Sequence, residues 1–175
     1  MSTPISGTRM FLGEYVRGLD PQCRISLPSE WRSGETEFVM IPTVGKAFLL
    51  LPVPMFQKMF EAVSEQAVAD VSLQEAFAFL GSQSRFCRCD KQGRMALDRA
   101  KLEAADIKDE LKLEGAITHI RISCPCRESA LPDDNTIGRC FDAIRKVKES
   151  PAVALGGLFG AKSGGAKSGG AEDAK

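Results

Sequence analysis

Twice in this chain an aspartate is followed four residues later by an arginine, at Asp20/Arg24 and at Asp90/Arg94. The second copy is the cleaner. Asp90-Lys91-Gln92-Gly93 has the composition of a type I turn. The Asp carboxylate suits the first position because it accepts from the turn's own amides, and Gly at the fourth admits the positive φ often needed before a strand resumes. Arg94 follows, directed away from the face that carries Met95. A tip bearing Arg94 and Lys91, with Arg85, Arg88, Arg99 and Lys101 close in sequence, offers guanidinium groups that fork onto phosphate or onto guanine in a groove of duplex DNA. The same spacing permits a purely local reading, in which Asp90 and Arg94 only pair with each other. In the first copy Pro21 fits the second turn position, but Cys23 stands where the other copy has Gly93. Either Cys23 accepts a left-handed conformation, at roughly 1–2 kcal/mol, or the turn changes type. Arg9, Arg17, Arg24 and Arg32 supply positive charge around it.

Other chemistry-bearing residues are weaker. Cys87, Cys89, Cys124 and Cys126 form two Cys-x-Cys pairs that could make a four-thiolate zinc site. Against this, the spacing is shorter than the usual gap, and Cys87 and Cys89 fall on inward strand positions, where small buried thiols are ordinary core. No metal and no cofactor are therefore expected, and Cys124 and Cys126 read as the more reactive pair. His119 is the single histidine, which excludes a two-His metal motif; it reads as a structural residue at the start of a hairpin strand. Asp133 and Asp134 read as N-terminal capping and dipole matching for a following helix. The Gly-Ala-Lys-Ser-Gly repeats near the end lack the Gly that a phosphate loop requires before Lys-Ser. Nothing points to an enzyme or to a small-molecule substrate.

The elements that must position these turns are also repeated. Leu19–Leu27 matches Cys89–Leu97 at an offset of 70 residues, and the flanks follow in the same order. Phe38–Ile41, a turn at Gly45 and Ala47–Leu51 answer to Leu111–Leu113, a turn at Gly115–Thr118 and Ile120–Ile122. Each half reads strand, tight turn, strand, short helical turn, hairpin, which is the signature of a duplication. Between the halves, Met55–Ala67 places Phe56, Met59, Phe60 and Val63 on one helical face. A second helix is expected to open at the capping box Ser72-x-x-Glu75, to bury Leu73, Ala76, Phe77 and Leu80, and to stop near Gly81. A third, Asn135–Ser150, carries Ile137, Phe141, Ile144 and Val147 on one face and ends at Pro151.

Composition bounds the rest. Lys plus Arg is 23 and Asp plus Glu is 23, so the formal charge is zero. That excludes a globally basic coat for nucleic acid but allows a local patch. No apolar run reaches the roughly 18 residues of a membrane span, so no membrane partner is expected. No secretory leader is recognisable at the N-terminus, and six Cys without one suit a reducing, cytoplasmic setting.

From Phe11 to Ser123 the chain resembles the MraZ family, whose fold is related to AbrB-type swapped-hairpin domains. Phe11-Leu12-Gly13-Glu14-Tyr15 resembles the family's opening strand. Leu51-Pro-x-Pro-x-Phe56 resembles its entry to the linking helix, and Phe79-Leu80-Gly81-x-x-Ser84 its approach to the second motif. The two Asp-x-x-x-Arg motifs complete the pattern. The resemblance implies an α+β, mainly β fold with two tandem AbrB-like swapped-hairpin β-barrel half domains, at 8–54 and 82–127. Two helices at 55–81 would link them, with a helical extension at 128–151 and a disordered Gly/Ala/Lys/Ser tail at 152–175. It further implies a nucleoid-associated transcription factor, a ring-like homo-oligomer that binds short direct repeats of double-stranded DNA upstream of the division and cell-wall gene cluster. Contact with DNA carries over to Arg24 and Arg94, with Arg17, Lys91 and Arg88 in support. Asp20, Asp90 and Gly93 would set the turns. The rival reading is a scaffold or antitoxin-like interaction protein of the same fold without DNA contact.

Overall fold

The computed structural model describes residues 10–32, 36–126 and 134–149. Short stretches of alternating or continuous apolar residues form eight strands among them: β1 (Glu14–Gly18), β2 (Arg24–Ser26), β3 (Glu37–Thr43), β4 (Ala47–Pro52), β5 (Arg85–Arg88), β6 (Arg94–Ala96), β7 (Glu110–Gly115) and β8 (Ile120–Ser123). Helices α1 (Val53–Ala69) and α2 (Val71–Gln83) lie between the halves, α3 (Arg99–Ala104) follows β6, and α4 is Asp134–Glu149. A single 3-10 turn, Ser29–Trp31, follows β2. The fold is α+β with mostly antiparallel sheet.

Six strands form one sheet in the order β1-β7-β8-β4-β3-β5, and β2 pairs with β6 in a separate ribbon. Exchanging the two halves turns this order into its own reverse. The first strand of each half lies against the hairpin of the other: β1 pairs with β7, and β5 with β3. The hairpins meet at the centre through β4 and β8. Between the layers sits one apolar core, with Phe11, Ile25, Trp31, Phe38, Leu50, Met95, Leu111 and Leu113 almost completely buried. Trp31 packs edge-on against Phe11 and Tyr15, and its indole N–H donates to the Leu12 carbonyl at 3.1 Å. Gly115 is needed for close approach, since a Cβ there would fall 2.5 Å from the Phe11 backbone.

The two linking helices pack through Phe56, Phe60 and Phe77, whose ring centroids are 4.7 and 5.2 Å apart in sequence. Three details of α2 differ from expectation. The cap of α2 is Asp70, whose carboxylate accepts from the Ser72 and Leu73 amides, and not Ser72. A Ser72 cap would serve amides two and three residues further on, whereas Asp70 reaches those at the actual start of the helix. The helix also runs past Gly81 to Gln83, because a Gly without a left-handed turn need not end a helix. Leu73, Phe77 and Leu80 are half-buried, whereas Ala76 is exposed.

Contacts divide the chain into Met1–Asp133 and Asp134–Lys175. Taken by itself, α4 carries Ile137, Phe141 and Ile144 exposed on one face. It begins at Asp134, so that residue is the first of the helix and not a preceding cap. Arg9, Asp133, Pro151 and the tail at 152–175 lie outside the described residues, as do the side chains of Val63 and Val147. Among the described residues no helix is long and apolar enough to cross a membrane.

Candidate functional site

The two turns repeat bond for bond. The Asp20 amide donates to the Arg24 carbonyl at 3.0 Å and the Cys23 amide to the Asp20 carbonyl at 2.8 Å; the Asp90 amide and the Gly93 amide do the same at 2.8 and 2.9 Å. Asp20 Oδ1 accepts from the amides of Gln22 and Arg24, and Asp90 Oδ1 from those of Gln92 and Arg94. The second carboxylate oxygen takes the arginine Nε, at 2.7 Å for Arg24 and 2.8 Å for Arg94. Cys23 has φ 58° and Gly93 φ 76°. The first turn therefore keeps the geometry of the second and carries the strain of a left-handed Cys, whose side chain is buried in the core. Cys23→Val puts a β-branched residue at that φ, and we expect a stability loss of about 1–3 kcal/mol, read as a lower denaturant midpoint at unchanged slope.

Register fixes where the arginines face. Arg24 is opposite Ala96, Ile25 opposite Met95 and Ser26 opposite Arg94. Bonds from the Leu27 amide to the Gly93 carbonyl and from the Leu97 amide to the Cys23 carbonyl extend the ribbon to both turns. Opposed residues share a face and neighbours alternate. Ile25 and Met95 are buried behind the ribbon, so Arg24 and Arg94 both stand on its other face. They are a diagonal pair, and such neighbours lie about 7–8 Å apart. Their side chains are 33% and 39% exposed. The local Asp–Arg pairing is thus present, but it occupies only Nε. Among the described residues neither arginine's Nη groups make a hydrogen bond.

The remaining candidates divide. Lys91 is exposed at the second tip. Arg17 and Arg88 belong to the six-stranded sheet instead. Arg17 on β1 lies over the Tyr15 ring at 5.2 Å and donates to the Val16 carbonyl. Arg88 on β5 is bonded to Glu37 and lies over Phe86. At the tips stand two further arginines, each on the turn other than the one it neighbours in sequence, Arg32 against Gly93 and Arg99 on the Pro21 carbonyl.

Both turn aspartates are held below their ordinary value. For Asp90 the Arg94 amide is the largest cause, with burial opposing. For Asp20 burial pushes upward and is outweighed by the Arg24 amide and guanidinium. Asp98, Asp106 and Glu114 shift the same way, while burial lowers His119. Groups with depressed folded values stabilise above their unfolded values and lose that contribution as pH falls through the folded ones. Stability should therefore begin to fall gently below about pH 6.5, from His119, and steeply below about pH 4, from the carboxylates. Melting temperature across a pH series checks this.

The two cysteine pairs are not assembled into a metal centre: among the described residues no three His, Cys, Asp or Glu side chains are grouped to hold an ion. Cys87 is buried, and burial pushes its thiol up to about 11. Cys89 is half-buried. Cys124 and Cys126 line a cavity of about 340 Å³ with Asp106, Lys108, Asp109 and Glu110.

No protein-family model matches the chain. Curated relatives do. The chain is 26% identical over 119 residues to the transcriptional regulator MraZ of Roseiflexus sp. (strain RS-1), covering 67% of this chain and 83% of that one. It is 26% identical over 115 residues to MraZ of Clostridium tetani (strain Massachusetts / E88), and 25% identical over 115 residues to MraZ of Halothermothrix orenii (strain H 168 / OCM 544 / DSM 9562). Each of these alignments covers 65% of this chain and 80% of the relative. All three relatives are named as transcriptional regulators and none as an enzyme.

Proposed function

We propose that this chain, whose relatives support a place in the MraZ family, is a transcriptional regulator that grips duplex DNA with its two Asp-x-x-x-Arg tips. The observation that carries the reading is the common face of Arg24 and Arg94, with the apolar pair Ile25/Met95 buried behind and the Nη groups unbonded within the described chain. A carboxylate on Nε fixes each guanidinium plane while leaving its outer edge open to a phosphate or a guanine. The exchange of first strands between the halves suits a pair of AbrB-like swapped-hairpin domains, 8–54 and 82–127, joined by 55–81.

One protomer with two such tips binds weakly. Affinity then comes from multivalency, in which tethered copies on spaced sites raise the effective concentration. A ring-like homo-oligomer on short direct repeats upstream of the division and cell-wall gene cluster meets that need, and nucleoid association follows from it. The zero formal charge and the Asp–Arg pairs favour the rival, a scaffold or antitoxin-like protein of the same fold without DNA contact. Footprinting of the intact protein on the DNA immediately upstream of its own reading frame separates the two. Regular protection at repeated short sites, weakened by added salt, is the expected result. No protection at low salt, where charge-driven binding is strongest, would favour the scaffold.

A further inference from the structure

We infer that each tip is completed by an arginine from the opposite half, Arg32 at the second turn and Arg99 at the first, and that these two contact backbone phosphates; the inference rests on the DNA-binding reading above. Arg32 follows the 3-10 turn of the first half, yet its stem lies on Gly93 of the second. A Cβ at Gly93 would come within 2.4 Å of Arg32 Cδ and 2.5 Å of its Nε. Gly93 thus has two duties, a positive φ and room for the arginine. Arg32 Nε donates to the Leu27 carbonyl at 2.7 Å, and the Leu27 amide is itself bonded to the Gly93 carbonyl. Arg99 opens α3 of the second half and donates from Nη2 to the Pro21 carbonyl of the first turn at 2.8 Å.

Charge separates these residues from Arg24 and Arg94. The latter are each matched by an aspartate, so the Asp–Arg units are close to neutral. Arg32 and Arg99 are exposed, and both are held by carbonyls, with no carboxylate partner among the described residues. With the exposed Lys91 they are the tip cations that neither turn aspartate matches. A carbonyl anchor orders the guanidinium beforehand without cancelling its charge, which lowers the ordering cost of taking up an anion. Such residues supply sequence-independent affinity and register on the duplex.

The test measures dissociation constants of the intact protein against salt concentration. The probes are the duplex upstream of its own reading frame and a scrambled duplex of equal length. Arg32→Gln and Arg99→Gln are made singly and together, since Gln keeps a stem over the turn. Arg94→Ala serves as the separate check on the DNA-binding reading. Loss of one phosphate contact flattens the log–log salt slope by about 0.9, so the pair is expected to flatten it by about 1.8 per engaged subunit. Both duplexes should weaken by the same factor, about tenfold or more at moderate salt. An unchanged slope in Arg32→Gln/Arg99→Gln, while Arg94→Ala still loses binding, would overturn this inference alone. Absence of binding to either duplex by the unsubstituted protein at low salt would overturn it together with the regulator reading.

Discussion

Replacing Arg24 and Arg94 together by alanine is expected to lower duplex affinity by about 100-fold or more, since each forked contact contributes about 1–3 kcal/mol. The fold should hardly notice. Both ion pairs are about a third or more exposed, and exposed pairs contribute little to stability. The turns keep their backbone bonds, and the aspartates keep their two amide donors. Melting should shift by no more than a few degrees, at about 2–4 °C per kcal/mol for a chain of this size. If the double substitution unfolds the protein instead, the arginines are structural and the local reading of the motif stands. Electrophoretic mobility shift alongside thermal melting decides between them.

The second large effect is on stability. Lys112 is only 5% exposed, and its ammonium lies 3.1 Å from Glu114 and 3.6 Å from Glu14. Glu114 also takes Arg121 at 2.7 Å and the Ser123 hydroxyl at 3.3 Å. Burial raises the Glu114 carboxyl, but Lys112 and Arg121 more than offset it, so the group stays ionised. Glu114→Ala removes the nearest counter-charge from a buried ammonium and should cost about 2–4 kcal/mol. Adding Lys112→Met should recover much of that loss, because removing both charges is far less costly than leaving the buried ammonium with only the more distant Glu14. Denaturant unfolding of the two variants reads the difference. A double variant no more stable than Glu114→Ala would show that the stabilisation lies in packing and not in charge compensation.

Much of the candidate site is legible in the sequence because turn chemistry is local. An Asp that caps its own turn, a Gly or Cys at the left-handed position and an Arg immediately after are all specified within five residues. What stays hidden is long-range. Arg99 reaches the Pro21 carbonyl from 78 positions away, and Arg32 lies on a turn of the other half. No periodicity announces such contacts. Proximity in sequence also leaves placement open: Arg17 and Arg88 are close to the motifs along the chain, and pairing with β7 and β3 places them on strands of the sheet, beside Tyr15 and Glu37. The α2 cap shows a milder version, since Asp70 and Ser72 are both competent caps and only the path of the chain between α1 and α2 selects one. The repeated order of elements is legible as a pattern, whereas the pairing of β1 with β7 and of β5 with β3 depends on which non-local edge each strand meets.

The central idea is that the two bends, with the arginines seated on them, are the part of the chain that reaches the nucleic acid. Photo-crosslinking the intact protein to a duplex with photoreactive groups in both strands, followed by mass-spectrometric mapping of the adducts, tests it most directly. The adducts should concentrate in the peptides carrying Asp20–Arg24 and Asp90–Arg94 and disappear in the Arg24→Ala/Arg94→Ala variant. Adducts confined to α1 and α2, or to the lysines after Pro151, and insensitive to those substitutions, would contradict the account.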